Sequence, residues 1–149
     1  MTMINIGIID YKAGNSQSVK NALDHLGISC QMIQHTDQFH QVDRVILPGV
    51  GSAQATMDSL NELGLIAGLN QWVLTEKKPF LGICIGHQII FEHSEEGDVA
   101  CMGWVKGRIK RFHLSEFPVP QMGWNAIQIR QNHPVFADVE SLYFYFVNS

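Results

Sequence analysis

Gly82-Ile83-Cys84-Ile85-Gly86 is the segment of this chain best suited to covalent chemistry. A nucleophile one residue away from a glycine on each side lets the backbone turn sharply from strand to helix, holding the central side chain exposed in a strained conformation. A thiol placed at a helix N-terminus is favoured as thiolate, and the next amide, that of Ile85, is placed to donate to an oxyanion. The bland alternative is a small buried cysteine between two structural glycines. The strand–turn–helix context of the segment favours the nucleophile.

Pro48-Gly49-Val50-Gly51-Ser52 is the second such segment. Two glycines directly after an apolar run suggest close backbone approach to a ligand. A dinucleotide fingerprint fails because its third glycine falls on Gln54, and no G-x-x-x-x-G-K-[ST] loop occurs anywhere. The exposed amides of this segment are better read as the other half of an oxyanion hole beside Cys84, with a plain turn as the competing reading. Val119-Pro120-Gln121-Met122-Gly123-Trp124-Asn125 is the third segment, and on spacing alone its tryptophan reads as core. Among the seven histidines, His87 is nearest Cys84 in sequence and is expected to be structural, pointing into the fold. His87 and His93 share no helix face with another ligand, so a metal site is not expected. Lys106, Arg108, Lys110 and Arg111 form a basic cluster whose alternation puts the first three on one strand face, read as a solvated face rather than a docking surface.

These loops need elements to hold them. Ile4, Ile6, Ile8 and Ile9 predict a buried strand ending at Asp10. Asn15 or Ser16 then caps a helix with Val19, Ala22, Leu23 and Leu26 on one face, stopped by Gly27. Residues 28–33 and 42–47 read as strands, the second ended by Pro48-Gly49. Ala53, Met57, Leu60 and Leu63 share a helical face closed by Gly64, and Ile66, Leu69 and Val73 continue on a second helix. Residues 79–83 return to a strand, followed by a helix over 85–91. This alternation predicts an α/β fold with a parallel sheet and helices on both faces, whose chemistry collects at the C-terminal strand ends. Beyond Gly103 the pattern changes, with strands expected over 104–112, 125–129 and 142–147.

Composition agrees with one globular domain over residues 1–149: 46% of residues are hydrophobic and 16% charged. A chain of this length buries roughly 68–70% of its unfolded surface and needs no disulfide or structural metal. Three cysteines (30, 84 and 101), an odd number without a C-x-x-C pair, fit a reducing compartment. No basic region precedes an apolar stretch at the N-terminus, and the uncharged stretches over 63–75 and 80–91 fall short of the ~20 residues of a membrane span, so the cytoplasm is expected. The net charge of −4 opposes whole-domain attraction to nucleic acid or an anionic membrane.

Pro48-Gly49-Val50-Gly51, Gly82-Ile83-Cys84-Ile85-Gly86-His87-Gln88 and Pro120-Gln121-Met122-Gly123-Trp124-Asn125, in this order, resemble the class I (triad-type) glutamine amidotransferases. Within them the chain is most similar to the glutaminase subunits of imidazole glycerol phosphate synthases of histidine biosynthesis. Asp10-Tyr11 with Gly14-Asn15, Gly103-Trp104-Val105-Lys106-Gly107 and Tyr145-Phe146-Val147 extend the similarity over the whole chain. The resemblance implies a flavodoxin-like parallel α/β amidotransferase fold, C-terminally incomplete, since the family's catalytic His and orienting Glu come after the Tyr-Phe-Val strand. No residue here is assigned to either role, so the 149 residues alone are expected to be inactive. It makes Cys84 the nucleophile, the amides of Val50, Gly51 and Ile85 the oxyanion hole, and Gly49 and Gln88 contacts for glutamine. It requires no cofactor. Its partner is a (β/α)₈-barrel cyclase that receives the ammonia. Asn148 in place of the usual His, His87 in place of the usual Met, and Lys12 depart from the pattern. They leave open a paralogue serving a sugar-modifying synthase, besides a non-catalytic partner subunit and an unrelated cysteine hydrolase. An apolar edge at Tyr145-Phe146-Val147 is expected to make folding marginal.

Overall fold

The computed structural model describes residues 4–149. They fall into two compact units that meet in sequence between Lys110 and Arg111, the second being Arg111–Ser149.

The first unit is built on a four-stranded parallel sheet of β1 (Ile6–Ile9), β2 (Cys30–Ile33), β3 (Arg44–Leu47) and β4 (Phe80–Gly82), in the order β2-β1-β3-β4. Ile6 pairs with both Cys30 and Arg44, and Leu47 pairs with Gly82. Each strand is shorter than its apolar run. Asn5, expected inside the first strand, instead donates its side-chain amide to the Gln41 carbonyl at 2.8 Å, and its N–H goes to the Asp43 carboxylate. Ile8, Ile9, Val45 and Leu47 are buried, as central parallel strands require.

Helices cover both sheet faces. On one face α1 (Ser16–His25) sets Leu23 and Val19 against Ile8 and Ile46. Of the four positions expected on its buried stripe, Ala22 and Leu26 are exposed. Asn15 occupies the N-cap position in the left-handed region (φ 53°) and makes no side-chain capping bond, so the expected cap is replaced by a turn-like entry. Gly27 at φ 68° ends the helix as expected. On the other face α2 (Ala53–Glu62) and α3 (Leu65–Asn70) pack Ala53, Leu60, Leu65 and Leu69 against Ile9, Val45 and Leu47. A π-helical turn over Gln71–Thr75 buries Trp72, whose indole N–H donates to the Pro79 carbonyl at 3.0 Å.

The short helix Thr36–Gln41 has no counterpart in the sequence reading, although its capping box of His35 and Gln38 was visible in the residues. The Gln38 side-chain oxygen accepts from the Gln34 and His35 amides at 2.7 and 2.9 Å.

The helix expected over 85–91 stops early: α4 is Ile85–Gln88. The carbonyls of Ile89, Ile90 and Phe91 instead accept from the amides of Met102, Trp104 and Gly103. The strand expected over 104–112 shrinks to β7 (Arg108–Ile109), which joins β5 (His93–Ser94) and β6 (Val99–Ala100) in a small sheet. Trp104 is drawn from strand geometry by packing on Phe80 at 5.0 Å and by donating its indole N–H to Asn70 at 2.7 Å. Lys106 therefore lies outside any strand, although it, Arg108 and Lys110 are all exposed as a solvated face requires.

The second unit is a hairpin of β8 (Gln121–Ala126) and β9 (Tyr143–Asn148), with Trp124 opposite Tyr145 and Gly123 opposite Phe146. β8 begins four residues earlier than expected and ends before Ile127, because its register follows the six-residue pairing with β9.

Candidate active site

β1 and β3 are neighbours, but the chain leaves β1 towards β2 on one side and β3 lies on the other. This makes a topological switch point at their C-terminal ends, where crevices form in open α/β sheets. The segments after β1, β3 and β4 carry Tyr11, Pro48–Ser52 and Cys84.

Cys84 is the exposed cysteine of the three, with φ 54° and ψ −115°. A non-glycine residue in this region stores strain, and it persists only where the surroundings over-determine it. They do so here through backbone packing. The Ile83 N–H donates to the Leu47 carbonyl at 3.0 Å, tying the elbow to the end of β3. A methyl at Gly86 would run into the Leu47 carbonyl oxygen, and one at Gly82 into the Gly86 carbonyl oxygen. The glycines framing the cysteine are thus required by close approach of main chain to main chain, as the five-residue pattern suggested.

The amides of the α4 turn are mostly used within it. Gly86 donates to the Ile83 carbonyl, and His87 and Gln88 donate to that of Cys84, at 2.9–3.0 Å. Among the described residues the Ile85 amide has no such partner, which suits an oxyanion donor. α4 is only four residues long, so local amides rather than a long macrodipole carry the polarisation expected there.

Pro48–Ser52 lies against the same turn. A Cβ on Gly49 would come within 2.5 Å of the Gly86 nitrogen and 2.8 Å of the Ile85 Cβ. Gly49 is buried, Val50 and Gly51 are exposed, and Gly51 sits at φ 87°. The segment also starts α2: Ser52 is the N-cap, and its side chain accepts from the Ala55 amide at 3.2 Å. The structure therefore brings Gly49 against Ile85 and Gly86, the two residues that follow Cys84, whereas a Cβ on Gly51 would meet nothing within 4 Å.

Tyr11, unremarked in the sequence beyond its place in a motif, belongs to this cluster. It is 1% exposed, and its hydroxyl donates to the Pro48 carbonyl at 3.1 Å. Burial pushes its pKa up, against the Thr56 side chain and the Val50 backbone, which favour the ionised form. Only the structure shows this link, since the partners are 37 residues apart.

His87 differs from expectation. Its ring is exposed and meets Phe91 edge-on at 5.8 Å. Among the described residues no histidine is hydrogen-bonded to Cys84, and no cluster of three or more His, Cys, Asp or Glu side chains is arranged to hold a metal. His93 is engaged by Asp98 at 3.0 Å and Arg108 at 3.1 Å. Cys30 and Cys101 are half-buried, and burial raises both thiol pKa values. Among the described residues no helix is long and apolar enough to cross a membrane.

Comparison with known proteins decides what this elbow belongs to. Residues 7–147 match the family model described as glutamine amidotransferase class-I. The chain belongs to the class I glutamine amidotransferases. Its relatives in this family include an imidazole glycerol phosphate synthase subunit HisH of Halalkalibacterium halodurans, 44% identical over 97% of this chain and 70% of that protein. The HisH subunit of Pasteurella multocida is 39% identical over 99% of this chain and 73% of its own. The chloroplastic imidazole glycerol phosphate synthase hisHF of Arabidopsis thaliana is 40% identical over 97% of this chain and 24% of its own. A solved glutamine amidotransferase matches with a TM-score of 0.70 at 15% identity, over 95% of this chain and 70% of that one, which supports the amidotransferase fold.

Proposed function

We propose that this chain is the glutaminase component of imidazole glycerol phosphate synthase, in which Cys84 hydrolyses glutamine and a cyclase subunit consumes the ammonia. The observation that carries the chemistry is the exposed, strained Cys84 elbow pressed against the Pro48–Ser52 segment. The names of the relatives carry the pathway, and they favour this acceptor over a sugar-modifying synthase. The family match over residues 7–147 supports a single amidotransferase domain.

The Cys84 thiolate attacks the side-chain amide carbon of glutamine, forming a C–S bond and placing negative charge on the amide oxygen. Amides of Val50, Gly51 and Ile85 stabilise that charge, with Gly49 and Gln88 holding the substrate. Collapse of the intermediate breaks the C–N bond and expels ammonia, whose leaving nitrogen takes up the proton given up by the Cys84 thiol on ionising, and leaves a γ-glutamyl thioester. Water then attacks the thioester, releasing glutamate and the thiolate. The partner receiving the ammonia is a (β/α)₈-barrel cyclase.

The test is glutamate release by the protein assembled with its synthase subunit. Cys84→Ala is expected to abolish it, and continued release by that variant would overturn the assignment. Among the described residues no histidine is bonded to Cys84, so the turnover of residues 1–149 on their own is expected to be lower by at least ~10²–10⁴-fold, the usual contribution of a general base.

A further inference from the structure

Tyr11 is placed where a core residue need not be. It stands two residues after the end of β1, yet its hydroxyl reaches the segment after β3, donating to the Pro48 carbonyl at 3.1 Å. It is held there from behind: a Cβ on Gly14 would come within 2.5 Å of its ring, so Gly14 is small because the ring is fixed against it. Thr56 stands on the far side, on the first turns of α2, with its own hydroxyl donating to the Ser52 carbonyl at 3.1 Å. The Pro48–Ser52 segment is thus held by Tyr11 at Pro48, with the Val50 backbone also facing the phenol oxygen, and by the α2 cap at Ser52.

What lies between the anchors is the stretch pressed onto the cysteine elbow, where Gly49 has no room for a methyl against Ile85 and Gly86. A hydrogen bond to a carbonyl fixes the plane of the peptide that carries it, and each planar peptide limits the next. Rotation of the Pro48–Gly49 peptide would redirect the amides that follow it, and donors to an oxyanion work only when aimed where the charge develops.

We infer that Tyr11 is a positioning residue for glutamine hydrolysis: its hydroxyl, by holding the Pro48 carbonyl, sets the path of the following segment and so the aim of the amides proposed above as oxyanion donors. This rests on the glutaminase reading above. The phenol touches no reacting atom and transfers no proton. A phenol is protonated at neutral pH, and burial raises its pKa further, so it is able to donate.

Tyr11→Phe removes the oxygen and keeps the ring, so the packing against Gly14 is retained. The experiment compares this variant with the unmodified protein, each assembled with its synthase subunit, in two reactions. One is steady-state glutamine hydrolysis, which passes through an oxyanion. The other is alkylation of Cys84 by iodoacetamide, a direct displacement that forms none. The expected result is a kcat for glutamine lower by ~10–10²-fold, the scale of a small misplacement at an active site, with KM near its original value and alkylation unchanged. An unchanged or raised kcat overturns the inference. So does a parallel fall in alkylation, which would show that Tyr11 merely supports the elbow. If the unmodified complex alkylates at Cys84 but does not hydrolyse glutamine, the glutaminase reading itself fails and this inference fails with it.

Discussion

Cys84 owes its conformation to its neighbours, and the neighbour with least freedom is Gly86. Gly86→Ala places a methyl against the Leu47 carbonyl oxygen and is expected to cost ~1–3 kcal/mol, as overpacking does, while also slowing alkylation of Cys84. Thermal unfolding and labelling kinetics measure the two effects; wild-type values for both would show that the elbow relaxes freely. Asp10, at the end of β1, behaves differently. Burial raises its pKa, but hydrogen bonds from Gln34 at 2.8 Å and Ser16 at 2.9 Å, together with Lys12, bring it below the usual 3.8. A depressed carboxylate stabilises the fold above its unfolded pKa and loses that effect as pH falls through the folded one. Asp10→Asn is therefore expected to destabilise by about 1 kcal/mol at neutral pH, discounted for partial exposure, and by less in acid, once pH falls below the ordinary 3.8 and through the lower folded pKa. Urea unfolding at neutral and acid pH checks this, and an equal loss at both would rule out the charge. The cysteine and its glycines were legible in the sequence because their chemistry is local. Tyr11 was not, because its partner is brought to it by strand order.

At the scale of elements, Ser52 serves two neighbours at once: it closes the Pro48–Ser52 segment and caps α2. Ser52→Ala is expected to lower stability by ~0.5–2 kcal/mol, measurable by chemical denaturation, and Ser52→Asn to restore most of it. Loss in both variants would point to a role other than capping. The parallel strands and the helix from Ser52 were readable because apolar residues recur at the periods that burial imposes. The end of α4 was not. Residues 89–91 are apolar enough to continue a helix, but the 102–105 segment takes their carbonyls, a tertiary choice that local pattern does not encode. The left-handed Asn15 shows the same limit: its residue type marks a helix start without revealing which geometry the start adopts.

The two units of the whole molecule differ in how they hold their strands. The four-stranded sheet is sandwiched between helices, with Ile8, Ile9 and Leu47 fully buried. The Arg111–Ser149 unit contains a two-stranded hairpin whose Trp124 is 68% exposed, and two strands alone are marginal in water. Amides of β8 and β9 in the 149-residue chain are expected to exchange with solvent at least ~10²-fold faster than those of β1 and β3. Equal protection, read by hydrogen exchange and mass spectrometry, would contradict this. The expectation of an exposed apolar edge at Tyr145-Phe146-Val147 came from residue types, whereas the pairing with Gln121–Ala126 depends on register.

The contacts of Gly49, Gly82 and Gly86 have a consequence for how this region tolerates change. Each methyl that could be added meets main-chain atoms, those of Gly86 and Ile85 for Gly49, of Gly86 and His87 for Gly82, and of Leu47 for Gly86, and main chain does not step aside as a side-chain tip does. Changes at these positions should be epistatic, since a shift that accommodates one larger residue also alters the space at the others. Substitution along this surface is accordingly expected to be tolerated best at Val50 and Ile83, whose side chains are exposed, with the backbone path around the thiol held fixed beneath them.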